Sequence, residues 1–242
     1  MVGKIILVCA ALILVYIATQ VLRTRHFIRI GEGLAEAAVA YEQHPSNTTQ
    51  RILVVGDSSA VGVGTSSPEG SVAGRIGKDY PNADITNLGV SGAKTGELIT
   101  ILETLTESYD VILIHTGGND IVRYTPLEQV ERDLGHVLSL AKQHAPYVIV
   151  LHGGNVGTAR LFPAPTRWIF SRRTKQVRDI FLRVAKKSDV QYADMWVEKD
   201  TDPFGINAKK YYASDLFHPS EFGYGWWYGY VSPLLDNTLP NT

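Results

Sequence analysis

The stretch VVGDSSAVGVG at residues 54–64 sets an aspartate and two adjacent serines between an apolar run and a string of glycines. Two readings compete: an ordinary turn leaving a strand, or a strand end that presents a serine as a nucleophile. The surroundings favour one of them. RILVV (51–55) reads as a buried strand, and ADITNLGV (83–90), YDVILIH (109–115), YVIVLH (147–152) and DVQYAD (189–194) read likewise. Helical patterns lie between them. Leu127, Val130, Leu134, Val137, Leu138 and Ala141 recur at helical spacing in one, and Val177, Ile180, Phe181 and Val184 in the next.

This alternation predicts an α/β fold, a single doubly wound, flavodoxin-like parallel sheet of five strands with helices on both faces. In such sheets ligands gather beyond the carboxyl ends of the strands. There the sequence places GDSSAVGVG, GVSGAKTG, TGGND and GGNVG. A purely structural protein has no reason to load each of these ends with Gly, Ser, Asn and Asp, so a site is expected there.

With 242 residues, 45% of them hydrophobic and 19% charged, the chain can bury a sizeable core. A formal charge of −1 supplies no global field for nucleic acid, and no nucleic-acid partner is expected. The single cysteine, Cys9, excludes an internal disulfide and a cysteine metal cluster. No HExxH or comparable ligand set argues for a metal, and no cofactor is expected.

Residues 5–22, IILVCAALILVYIATQVL, carry no charge; Lys4 precedes them and Arg23, Arg25 and Arg29 come after. A helix of that length spans about 27 Å, near the thickness of a bilayer core. A cleaved signal peptide is the alternative, but cleavage after Ala18 would set Tyr16 where a small residue is needed. An uncleaved membrane anchor over residues 1–22 is therefore expected. Cys9 comes directly after ILV and lacks the small residue that precedes a lipidated cysteine. The arginines after the run lean toward a cytoplasmic domain, by a margin too small to choose between that and the extracytoplasmic side. Residues 23–50 read as an amphipathic helical stalk ending near His44 and Pro45 in a polar linker, 51–235 as the globular domain and 236–242 as a tail.

Near the end of the chain, ASDLFHPSEFGYG sets Asp215 three residues before His218. A serine hydroxyl becomes a nucleophile when an imidazole takes its proton, and the imidazole does this best when a carboxylate fixes its tautomer. Ser58 or Ser59, His218 and Asp215 supply those parts. Alone, D-x-x-H is more often a local hydrogen bond; with a serine at a strand end it gains weight.

Four separated blocks then resemble, in order, those of the SGNH hydrolases, also called GDSL esterases and lipases: VVGDSS, NLGVSG, GGND and DLFHP. The resemblance covers residues 51 to about 235. It implies Ser58 as the nucleophile, His218 as its base and Asp215 as the residue that orients His218. It implies an oxyanion hole made by the backbone N–H of Ser58, the backbone N–H of Gly92 and the side-chain amide of Asn119. Ser59 stands where the family motif has a leucine, and Asp57 is expected to anchor the turn. The implied activity is hydrolysis of a small-molecule or lipid carboxylic ester through an acyl-enzyme. The alternatives are an acyltransferase using the same intermediate, or a catalytically silent binding module.

Competing motifs fail on spacing. GVSGAKTG lacks the G-x-x-x-x-G-K of a phosphate loop, and GDSSA is not the G-x-S-x-G of an α/β-hydrolase. Over residues 160–187 nine Lys and Arg face the single Asp179, which reads either as a solvated helix face or as a surface for anionic lipid or substrate. RLFPAPTRWIF (160–170) is expected to form an aromatic loop at the active-site rim, and FGYGWWYGY (222–230) a core helix.

Overall fold

The computed structural model describes residues 1–198 and 200–239. The five apolar runs are the strands β1 (Gln50–Gly56), β2 (Ala83–Gly89), β3 (Val111–His115), β4 (Tyr147–Leu151) and β5 (Gln191–Tyr192). All pair in parallel, in the order β2-β1-β3-β4-β5. The helices are α1 (Val2–Ala37), α2 (Ser58–Val61), α3 (Val72–Asp79), α4 (Leu98–Glu103), α5 (Gly118–Val122), α6 (Leu127–His144), α7 (Ala164–Ser188), α8 (Pro203–Ile206), α9 (Ala208–Tyr211) and α10 (Glu221–Asp236). This is the doubly wound α/β sheet that the alternation of runs predicts.

Successive strand residues point into two cores. Ile52, Val54, Val111 and Leu113 face one, closed by Ile76 of α3 and by Tyr224, Trp227 and Val231 of α10. Leu53, Val55, Ile112 and Ile114 face the other, closed by Leu98 of α4, Leu134 and Leu138 of α6, and Val177 and Phe181 of α7. Every position of β3 is buried, which is why these strands read as continuous apolar runs and not as alternation.

The amino-terminal helix is long and apolar enough to cross a membrane, and its apolar window is not buried against the rest of the chain. The expected stalk differs from the structure in two respects. The helix runs unbroken past the arginines but stops at Ala37, short of His44. The segment after it is docked on the sheet: Gln43 bridges antiparallel to Ile85 on the free edge of β2, its N–H donating to the Ile85 carbonyl at 3.0 Å and its carbonyl accepting in return at 2.7 Å. The Gln43 side-chain amide donates to the carbonyls of Tyr80 and Ala83. An exposed sheet edge carries unpaired polar groups, and a polar residue that satisfies them leaves no hydropathy signal.

The expected aromatic loop is another correction. Helix α7 begins at Ala164, with Pro165 in its first turn, where a missing N–H removes no helical bond. Trp168, Ile169 and Phe170 are therefore helical. In the expected tail, α10 reaches Asp236 and Leu239 is buried in the first core; residues 240–242 lie outside the described residues.

Truncation inside the sheet should separate from truncation on a helix surface. Ile114→Ala is expected to destabilise by about 2–5 kcal/mol, and Leu182→Ala, on the open side of α7, by less than about 1 kcal/mol. Urea unfolding measures both, and equal losses would contradict the layering.

Candidate active site

Because β1 lies between β2 and β3, the chain leaves neighbouring strands toward opposite faces and a crevice opens beyond their carboxyl ends. Gly89, Gly56 and His115 pair in one row there. Gly56 has no room for a side chain, since a Cβ would stand 2.0 Å from the His115 carbonyl oxygen. The next residue, Asp57, donates its N–H to that carbonyl at 3.0 Å, and its carboxylate accepts the Ser59 N–H at 2.8 Å, capping the single turn of α2. Asp57 thus anchors the turn, as expected. Burial pushes its carboxyl up, against the lowering pull of its bonds to Ser59 and of nearby His218.

Ser58 is the first residue of that turn, so its backbone N–H has no helical partner. Its hydroxyl meets His218. Ser58 Oγ lies 3.0 Å from His218 Nε2, and His218 Nδ1 lies 2.5 Å from Asp215 Oδ2. With Nδ1–H donating to the carboxylate, Nε2 is left to accept from the serine. The other Asp215 oxygen accepts the N–H groups of Phe217 and His218, both at 3.0 Å, and the carboxylate is buried at 2% exposure. Between them Leu216 adopts a left-handed φ of 61°, uncommon for a non-glycine residue. Its N–H donates to the Ala213 carbonyl, and its own carbonyl accepts the Leu161 N–H at 3.1 Å.

Helix α1 reaches the same loop. Gly31 is its buried residue, and a Cβ there would stand 3.0 Å from Asp215 Oδ2. Sequence reasoning missed this contact. A glycine inside a helical pattern, with no turn beside it, was the available signal.

Asn119, in the first turn of α5, donates one amide N–H to the Ala93 carbonyl at 3.0 Å and keeps the other. Buried Asp120 accepts from the Thr95 N–H and hydroxyl at 2.9 and 2.8 Å, fastening α5 to the segment after β2. Gly92 sits in that segment at φ 84°, two residues past Val90, whose N–H donates to the Gly56 carbonyl. The structure brings Ser58, His218, Asp215 and Asn119 to one crevice. Gly92 belongs to the neighbouring turn and does not line the cavity at Ser58.

That cavity holds about 60 Å³; Ser58, Asn119 and His218 line it together with Met195, Phe204 and Trp226. Aromatic rings continue outward: Phe162 stacks on Phe170 with centroids 4.1 Å apart and meets Phe217 edge-on, which in turn meets His218. Asp202 also lines the cavity. It caps α8 by accepting the Phe204 N–H at 2.9 Å, and burial pushes its carboxyl up to about 6. The Asp-Pro pair in TDPFG was a readable cap signal, but nothing in it announced a cavity wall.

The sequence profile described as the GDSL-like Lipase/Acylhydrolase family matches residues 54–226. The chain belongs to that family. A structure of a member of the lipolytic protein G-D-S-L family from Veillonella parvula is similar at 18% identity and a TM-score of 0.63, over 78% of this chain and 99% of that one. TesA is similar at 21% identity and 0.62, over 78% and 100%. A catalytic variant of Axe2, an acetylxylan esterase from Geobacillus stearothermophilus, is similar at 18% and 0.57, over 80% and 97%. A comparison with curated proteins gave no match. At these identities the structural likenesses speak to the fold.

His115, whose carbonyl anchors Asp57, is buried with neither ring nitrogen partnered among the described residues, and burial pushes it down to about 3. Below pH 6.5 the unfolded chain takes up a proton that the folded one refuses, so stability falls as the pH drops from 6.5 toward 3. The loss is on the order of 2 kcal/mol at pH 5. Urea midpoints at pH 7 and pH 5 should differ more for the wild type than for His115→Leu; parallel losses would contradict the buried neutral imidazole.

Proposed function

We propose that the chain is a serine ester hydrolase that cleaves carboxylic esters of short acyl groups through a covalent acyl-enzyme, and that α1 holds it on a membrane. The observation that carries this reading is the hydrogen-bonded run from Asp215 through His218 to Ser58 at the mouth of a small, largely apolar cavity. Family membership supports the reaction class.

In the proposed reaction Ser58 Oγ attacks the acyl carbonyl carbon while His218 Nε2 takes the hydroxyl proton, and the Asp215 carboxylate stabilises the imidazolium through Nδ1–H. The carbonyl oxygen becomes an oxyanion. The free N–H of Asn119 and the backbone N–H groups of Ser58 and Gly92 are its proposed donors, each worth about 3–4 kcal/mol in the transition state. Collapse breaks the bond to the alcohol oxygen, which leaves with the proton from His218. Water then attacks acyl-Ser58, giving a proton to His218 Nε2; collapse breaks the bond to Ser58 Oγ, which takes that proton from His218 as the acid is released. A volume of about 60 Å³ suits a short acyl chain better than a long one.

Three measurements test this. Ser58→Ala is expected to lower hydrolysis of a chromogenic acetyl ester by about 10⁴-fold or more, and Asn119→Ala to lower kcat by about 10²–10³-fold; unchanged rates in purified protein would refute the mechanism. Free acid exceeding any acylated acceptor among the products separates hydrolysis from acyl transfer. Gly31→Leu forces the Asp215 carboxylate aside and is expected to cost roughly 10- to 100-fold in kcat with little change in KM. Gly33→Leu is its control, because a Cβ there meets nothing within 4 Å.

A further inference from the structure

The basic stretch at residues 160–187 divides in the fold. In its middle three cations are matched: Arg178 pairs with Asp194, Arg183 with Glu131 at 2.8 Å and Lys175 with Glu198 at 3.2 Å. Arg173 donates to the Thr125 carbonyl. Here the solvated helix face accounts for the charge.

The amino-terminal end is different. Arg160, Arg167 and Arg172 form no ion pair among the described residues, and they share the lining of a groove of about 410 Å³ with Trp168. The carboxylate in that lining, Glu198, is already taken by Lys175. Arg23 of α1 joins them: its guanidinium donates to the carbonyls of Arg160 and Leu161 at 2.6 and 3.2 Å. Arg160 donates to the Gly205 carbonyl at 2.8 Å. Burial and the charges of Arg160 and Arg23 together push the Arg167 guanidinium down. Among the described residues no carboxylate pairs with Arg23, Arg160 or Arg167, and cations so gathered leave room for an anion.

The position of Arg23 says what kind of anion. It is the first charge after the apolar run 5–22, so if α1 crosses a bilayer, Arg23 stands at the depth of the lipid phosphates. The start of α7 runs along the same stretch of helix. Pro163, Pro165 and Thr166 share a second groove with α1 residues on both sides of Arg23, from Tyr16, about 10 Å before it along the helix, to Arg25. Trp168, 66% exposed, and Ile169, 41% exposed, project beside them, and tryptophan favours this interfacial layer. Guanidinium groups pair with phosphate by parallel N–H bonds.

We propose that Arg23, Arg160 and Arg167 form a seat for the phosphate of an anionic bilayer lipid, with the first turn of α7 set into the interface, so that the Ser58 cleft is held at the membrane surface. The proposal rests on the reading of α1 as an anchor and not on the hydrolase chemistry.

Its test uses the full chain in detergent, titrated with phosphatidylglycerol or phosphatidylcholine and followed by native mass spectrometry, and the same chain in nanodiscs containing brominated lipid. Wild type is expected to retain phosphatidylglycerol on the order of tenfold more tightly than phosphatidylcholine, and Arg160→Gln/Arg167→Gln to lose that preference. Arg167→Gln, whose guanidinium makes no hydrogen bond among the described residues, serves if the double variant does not fold. Brominated lipid should quench wild-type tryptophan fluorescence more than that of Trp168→Phe. Equal lipid retention by wild type and variant, or no Trp168 quenching, would overturn the seat. Glycerol phosphate competing as well as the lipid would reassign it to a soluble phosphate. Hydrolysis of a soluble acetyl ester by both variants at the wild-type rate is expected, so a failed seat and a failed hydrolase reading give different results.

Discussion

The pairing of β1 between β2 and β3 is the constraint on which the site depends. At Gly56 the sheet presents its last paired row, and no side chain fits against the His115 carbonyl. The chain must turn there, and the Asp57 carboxylate and N–H fix how it turns. A serine on the next residue is thereby held at the switch point, where the strand order leaves a crevice. Asp215 and His218 are set against each other locally, three residues apart, but the pair comes to Ser58 from 160 residues away.

Hydropathy made much of this legible. The five strands and the inward faces of α6 and α7 are apolar runs or periodic stripes, because both sheet faces are covered. The four motif blocks lie at strand ends and in the loop before α10, where local chemistry does not have to be inferred from packing. Less legible was whatever depends on a polar or small residue meeting a distant partner. Gln43 on the β2 edge, Gly31 against Asp215 and Asp202 in the cavity wall are examples; each reads in isolation as linker, helix interior or cap.

The amino-terminal helix joins these themes. One continuous element carries an apolar length sufficient to cross a membrane, a guanidinium tied to the start of the 160–170 segment, and a glycine against the carboxylate behind His218. Leu161 completes the connection, since its carbonyl accepts from Arg23 and its N–H donates to Leu216 in the Asp215–His218 loop. Under the proposed function, the anchor backs the Asp215 carboxylate as well as serving as a tether.

The proposed chemistry turns on activation of the Ser58 hydroxyl by His218. Treating the 242-residue chain with a fluorophosphonate and mapping the adduct by peptide mass spectrometry tests this. A single phosphonyl group is expected on Ser58, formed at least about 100-fold more slowly in His218→Ala. An adduct on Ser59, or labelling of Ser58 that is indifferent to His218, would contradict it.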